Sequence, residues 1–110
     1  MSEFVIVLTT FPADGDADAL ARTLVTGRLA ACVNVLAPMR SIYMWKGAVE
    51  DASERQLVIK TTAARVAELQ DHLKALHPYE IPEFLVIPIV DGSHDYLSWV
   101  TENTRKAVDP

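Results

Sequence analysis

Cysteine is nearly absent from this chain. Its 110 residues include one, Cys32, which excludes an internal disulfide framework and any Cys-x-x-Cys metal or redox pair. Glycine is scarce as well. The four glycines stand apart at positions 15, 27, 47 and 92, so there is no Gly-rich loop to cradle a phosphate. Positive charge is thin: 10 Lys and Arg face 15 Asp and Glu, a formal net charge of −5. The longest basic cluster is Arg105-Lys106. Such a surface repels nucleic acid and anionic membranes, and neither is an expected partner. No apolar run reaches transmembrane length. Met1-Ser2-Glu3 lacks the basic start of a signal peptide, and Phe4 to Leu8 is too short for its apolar stretch. A cytoplasmic location is therefore expected. What remains is a globular composition, 50% hydrophobic and 23% charged, of a size for one domain over residues 1–110.

Periodicity assigns the elements. Phe4 to Thr10 is an apolar, β-branched run and reads as the first strand. Pro12 and Asp14-Gly15-Asp16 break it, and Asp16 or Asp18 caps a helix over about Ala17 to Leu29. Ala31 to Trp45 reads as a long strand interrupted at Pro38; Lys46-Gly47 is a hairpin turn, and a second long strand returns from Ala48 to Lys60. Thr61 or Thr62 then caps a second helix with the stripe Val66, Leu69, Leu73 and Leu76. His77-Pro78 ends it, since the residue before proline disfavours helix. Phe84 to Val90 is the fourth strand, Asp91-Gly92 a turn, and His94 to Ala107 a last helix that buries Tyr96, Leu97 and Val100 with Trp99 beside them.

The order β-α-β-β-α-β plus a helix is an α+β, ferredoxin-like arrangement. Its second and fourth strands lie at the sheet edges. Pro38 and Pro88 fall in those two strands, and an edge tolerates a residue that cannot donate to the ladder.

Two features point to self-association. The first and fourth strands are apolar at both parities, so their sheet is apolar on both faces, while the two helices cover only one. Exposing several such side chains forfeits several kcal/mol at roughly 25 cal/mol per Å². The arms of the hairpin are also about twice as long as the first and fourth strands, so its tip, with Tyr43, Met44 and Trp45, must run past its own sheet. It packs either on a neighbouring subunit or back on its own domain.

Catalytic chemistry finds little support. No nucleophile elbow or His-Glu-x-x-His is present, and nothing supplies a nucleophile oriented by a base, so no enzyme activity is expected. His72 and His77 stand five apart on one helix and do not share a face. His72 reads as solvated and His94 as a loop or cap residue. Cys32 reads as a small core hydrophobe or as a metal or redox residue. His77-Pro78-Tyr79-Glu80-Ile81-Pro82-Glu83 concentrates an imidazole, a phenol and two carboxylates on a stiff backbone. It is either a ligand or metal site, or a helix stop with a satisfied histidine. Glu54 and Lys60 are charged groups near apolar stretches, which complete a polar cleft or form structural pairs.

Five segments together resemble the CutA family of divalent-cation tolerance proteins: Leu29 to Asn34, Ser41 to Gly47, Lys60-Thr61-Thr62, His77 to Glu83, and Asp95 to Trp99. The match spans essentially the whole chain in order. It implies a ferredoxin-like fold related to the PII signalling proteins, assembled as a homotrimer through the long hairpin and the sheet faces. It also implies tolerance of, and binding to, copper and other divalent ions, without enzymatic activity. The family pattern assigns metal to a cysteine near the end of the first strand and to two adjacent histidines before Pro-Tyr. Here those positions hold Thr9 and Leu76-His77. The metal expectation is accordingly weak Cu or Zn binding at His77 with Glu80 and Glu83, with no obligatory cofactor. A second expectation is a PII-like cleft between subunits, taking a small anion, metabolite or protein partner. Its residues would be Asn34, Tyr43, Trp45, Lys60, Tyr79, Tyr96 and Trp99, unless those aromatics serve only to join subunits.

Overall fold

The apolar run at the head of the chain forms β1, Phe4–Pro12, in the middle of a five-stranded antiparallel sheet. The computed structural model describes residues 3–106. After β1 come α1 (Ala17–Thr26), β2 (Cys32–Val35), β3 (Met39–Trp45), β4 (Ala48–Thr62), a 3-10 turn (Ala63–Arg65), α2 (Val66–Leu76), β5 (Leu85–Pro88) and α3 (His94–Thr104). The strands lie in the order β2-β4-β1-β5, and β3 pairs with the outer half of β4. Counting β2 and β3 as one interrupted arm, this order is consistent with the ferredoxin-like arrangement. Pro38 sits in the gap between β2 and β3, and Pro88 ends β5, the opposite edge. Across the gap Leu36 donates to Gln56 O and its carbonyl accepts from Arg55 Nε at 2.7 Å, which keeps the arm on β4.

One face of the sheet carries the core. Val5, Val7 and Phe11 of β1 and Leu57 and Ile59 of β4 pack against Ala17, Leu20 and Leu24 of α1 and Leu69 and Leu73 of α2. On the other face Ile6 lies opposite Ile87, and Leu8 opposite Leu85. Leu85 and Ile87 are exposed there.

The hairpin of β3 and β4 projects. Its turn residues, Lys46 and Gly47, both have positive φ, 49° and 82°, as the tight turns of twisted hairpins require. The 15 residues of β4 span about 50 Å at roughly 3.3 Å each, and the molecule is 49 Å long. Its radius of gyration of 14.9 Å exceeds the roughly 13 Å usual for such a length. Ile42, Met44 and Val49 near the tip are 69%, 66% and 70% exposed.

Several boundaries differ from the sequence reading. The first helix stops at Thr26, because Gly27 N–H bonds Thr23 O and Arg28 turns to φ 60°, dropping Leu29 into the core from a loop. Asp16 is its cap, accepting from Ala19 N–H. Neither Thr61 nor Thr62 caps α2. The Thr61 hydroxyl donates to Leu29 O and that of Thr62 meets Thr104, so the chain enters the helix through a 3-10 turn. Leu76, at the end of the stripe, is 49% exposed. β5 is shorter than Phe84 to Val90. The last helix ends at Thr104, capped at its start by Ser93; Ala107, expected within it, lies outside the described residues. That helix buries Val100 and Thr104, leaves Tyr96 and Trp99 exposed, and half-buries Leu97. Among the described residues no helix is long and apolar enough to cross a membrane.

Candidate functional site

Proline builds the wall of the site. Pro78 forces His77 out of the helical region to φ −86°, ψ 136°, so α2 ends there. The connector of residues 77–84 then crosses beside the root of the arm before β5. Between connector and arm lies a cleft of about 780 Å³.

His77 anchors the connector. It is buried, its Nε2 stands 2.6 Å from Thr10 O, and its Nδ1 accepts from Tyr79 N–H at 3.1 Å. A nitrogen that accepts carries no proton, so the proton is on Nε2, which donates to Thr10 O. Both ring nitrogens are thus engaged by the chain's own backbone. Phe11 and Tyr79 pack on the ring at centroid distances of 5.2 and 4.7 Å.

Two side chains of β4 complete the fastening. Gln56 Nε2 donates to Thr9 O at 2.8 Å and to Glu83 Oε2 at 2.9 Å, tying the far end of the connector to the sheet. Glu54 is only 7% exposed. Its carboxylate lies at the Tyr79 hydroxyl. Burial of the ring, and then that carboxylate, hold the Tyr79 phenol well above the usual tyrosine range.

The expected site residues divide among several places. Tyr43, Trp45 and Tyr79 line the cleft, as do Glu80 and Glu83. His77 lies behind the wall, bonded as described. Asn34 and Lys60 bond each other across β2 and β4, outside the cleft lining. Tyr96 and Trp99 stack on α3 with centroids 5.5 Å apart, away from that lining. Among the described residues no Lys, Arg or His lines the cleft. Among the described residues no three His, Cys, Asp or Glu side chains converge as a metal-holding group. The Thr9 hydroxyl is fully buried, with no hydrogen-bond partner among the described residues. Cys32 is half-buried at the start of β2, opposite Lys60.

Gln56 and Thr10 escaped the sequence reading. For Gln56 a signal existed: it is a polar residue beside the apolar run Leu57-Val58-Ile59, at the parity of the face that the helices do not cover. For Thr10 none did, because it is the backbone carbonyl that acts.

The fold and the cleft define a small α+β protein with an acidic, aromatic cleft beside a projecting arm. Residues 5–103 match the model of the CutA1 divalent ion tolerance protein family, and the chain belongs to that family. It is 44% identical over 99 residues to the divalent-cation tolerance protein CutA of Thermus thermophilus, covering 90% of this chain and 96% of that one. It is 43% identical over 105 residues to the CutA of Pectobacterium atrosepticum, covering 96% of each. The crystal structure of CutA1 from Oryza sativa, 35% identical, superposes with a TM-score of 0.91 over 96% of this chain and 97% of that one.

Proposed function

We propose that this chain is a cytoplasmic, homotrimeric divalent-cation tolerance protein that binds Cu(II) or Zn(II) weakly through carboxylates of the cleft. The charge of the cleft lining supports this most directly: among the described residues the charged groups that line it are Glu54, Glu80 and Glu83, all acidic. Glu80 and Glu83 lie on the exposed and half-buried connector, where a cation can reach them. His77 fastens the connector rather than holding the ion, because both its nitrogens are bonded. With few converging donors, affinity stays low and selectivity slight. Trimer formation is supported by the apolar side chains left in water, Ile42, Met44 and Val49 on the arm and Leu85, Val86 and Ile87 on β5. The function is binding, not catalysis.

Calorimetric titration of metal-free protein with Zn(II) and Cu(II), beside a light-scattering mass, tests it. The expected result is a trimer with dissociation constants near about 1 mM, lost in Glu80→Gln/Glu83→Gln. Carboxylate donors also keep binding as pH falls from about 7 to about 5.5, where an imidazole of ordinary pKa would lose it. No heat at millimolar metal, or binding that disappears across that pH interval, overturns the site. A folded monomer at micromolar concentration overturns the assembly.

A further inference from the structure

We propose that Gln56 is a positioning residue for divalent ions: it holds the Glu83 carboxylate by one oxygen, leaves the other for an ion, and so favours Zn(II) and Cu(II) over Ca(II). The proposal rests on the reading that Glu83 is an ion ligand of the cleft. Gln56 stands on β4 opposite Thr10 of β1, and both line the cleft with Glu83. Gln56 Nε2 donates to Thr9 O at 2.8 Å and to Glu83 Oε2 at 2.9 Å. These two acceptors fix the orientation of the amide, since the reverse would set Oε1 against a carbonyl and a carboxylate. Thr9 belongs to β1, which is paired on both sides in the sheet. The donor is thus anchored to the fold and not to the connector it serves. Among the described residues Glu83 Oε1 has neither a hydrogen bond nor an ion pair.

Two consequences follow from that arrangement. The first is order. A free glutamate side chain gives up its rotamer freedom when it takes an ion. Glu83 has given it up on folding, because Gln56 holds it and His77 fastens the other end of the same connector. The second is the number of oxygens on offer. Zn(II) takes few ligands and accepts a single carboxylate oxygen. Calcium gathers roughly six to eight oxygens and often takes both from one carboxylate. For Glu83 to supply both, its charge-assisted bond from Gln56 must break. Between Zn(II) and Cu(II) the one free oxygen serves either ion, so selectivity between those two stays slight.

Titrations of the intact protein with Zn(II) and with Ca(II), at constant ionic strength, test this. Calorimetry gives the affinities, and NMR follows the side-chain amide signals of Gln56. In the wild type those signals should shift with Zn(II) and saturate together with the heat, while Ca(II) binds about tenfold more weakly. Gln56→Met keeps the length of the side chain and removes both donors. It should weaken Zn(II) about tenfold and Ca(II) little, so that the preference falls toward unity. A Zn(II) affinity within about twofold of wild type overturns the proposal, as do equal losses for the two ions, which a merely loosened connector would give. Amide signals that stay still while zinc binds also overturn it, and that measurement needs no variant if Gln56→Met fails to fold. Zinc binding lost in Glu83→Gln yet unchanged in Gln56→Met defeats this inference alone. Absence of zinc binding, or binding indifferent to Glu83→Gln, defeats the proposed site and this inference with it.

Discussion

Replacing Thr9 by valine should stabilise the protein. Thr9 is 0% exposed and its hydroxyl has no hydrogen-bond partner among the described residues. The side chain sits on β1 opposite Leu57, on the face packed by the helices. An unsatisfied buried hydroxyl costs about 1–3 kcal/mol. Valine has nearly the same shape and replaces the hydroxyl with a methyl, which adds roughly 0.8 kcal/mol of apolar burial. A β-strand also favours valine. A net gain of about 1–3 kcal/mol is therefore expected for Thr9→Val. Equilibrium denaturation in guanidinium at one fixed protein concentration measures it, because association contributes to apparent stability. The midpoint should rise with the slope unchanged. A loss of about 1 kcal/mol or more would refute the reasoning. It would mean that the hydroxyl has a partner, such as a buried water, whose hydrogen bond outweighs the methyl. Thr9→Ser separates the terms: it keeps the orphan hydroxyl, removes a methyl, and should destabilise.

Two further outcomes follow from the geometry. The Tyr79 phenol is held above its ordinary pKa by burial and by Glu54, so the folded state favours its neutral form. The stability this confers is complete below about pH 10 and is lost as pH rises from there through the folded value. Alkaline denaturation should therefore flatten above about pH 10 in Tyr79→Phe; an unchanged profile would mean that burial and Glu54 together do not hold the phenol neutral. Gly47→Ala should cost about 1 kcal/mol by thermal or chemical denaturation, purely from φ +82°, since a Cβ there meets nothing within 4 Å. A neutral effect would mean that the arm's turn relaxes freely.

Local pattern carried much of this structure. The apolar runs, the stripe of Leu69 and Leu73, the edge prolines Pro38 and Pro88 and the turn at Lys46-Gly47 are set by near neighbours along the chain. Strand period, helix period and proline geometry act over a few residues, so they are legible without a fold. The stiffness of the connector from His77 to Glu83 was legible for the same reason. What covers each face was not. Strand parity places Glu54 and Gln56 on the face away from the helices, but it cannot say that Tyr79 and Glu83 arrive to meet them. Leu76 follows the helical stripe yet is exposed, at the last residue of α2. Thr61 and Thr62 look like caps, and their hydroxyls are taken by Leu29 and Thr104, distant in sequence.

The candidate site shows the same division. Its residue types could be named from the sequence, yet Asn34 with Lys60, and Tyr96 with Trp99, lie outside the cleft that holds Tyr43, Trp45 and Tyr79. For His77 the sequence provided an imidazole on a rigid segment. The tertiary structure decided its role, since the Thr10 carbonyl and the Tyr79 amide engage its two nitrogens. A side chain's chemistry is written in the sequence; whether that chemistry is free for a ligand depends on partners that only folding brings near.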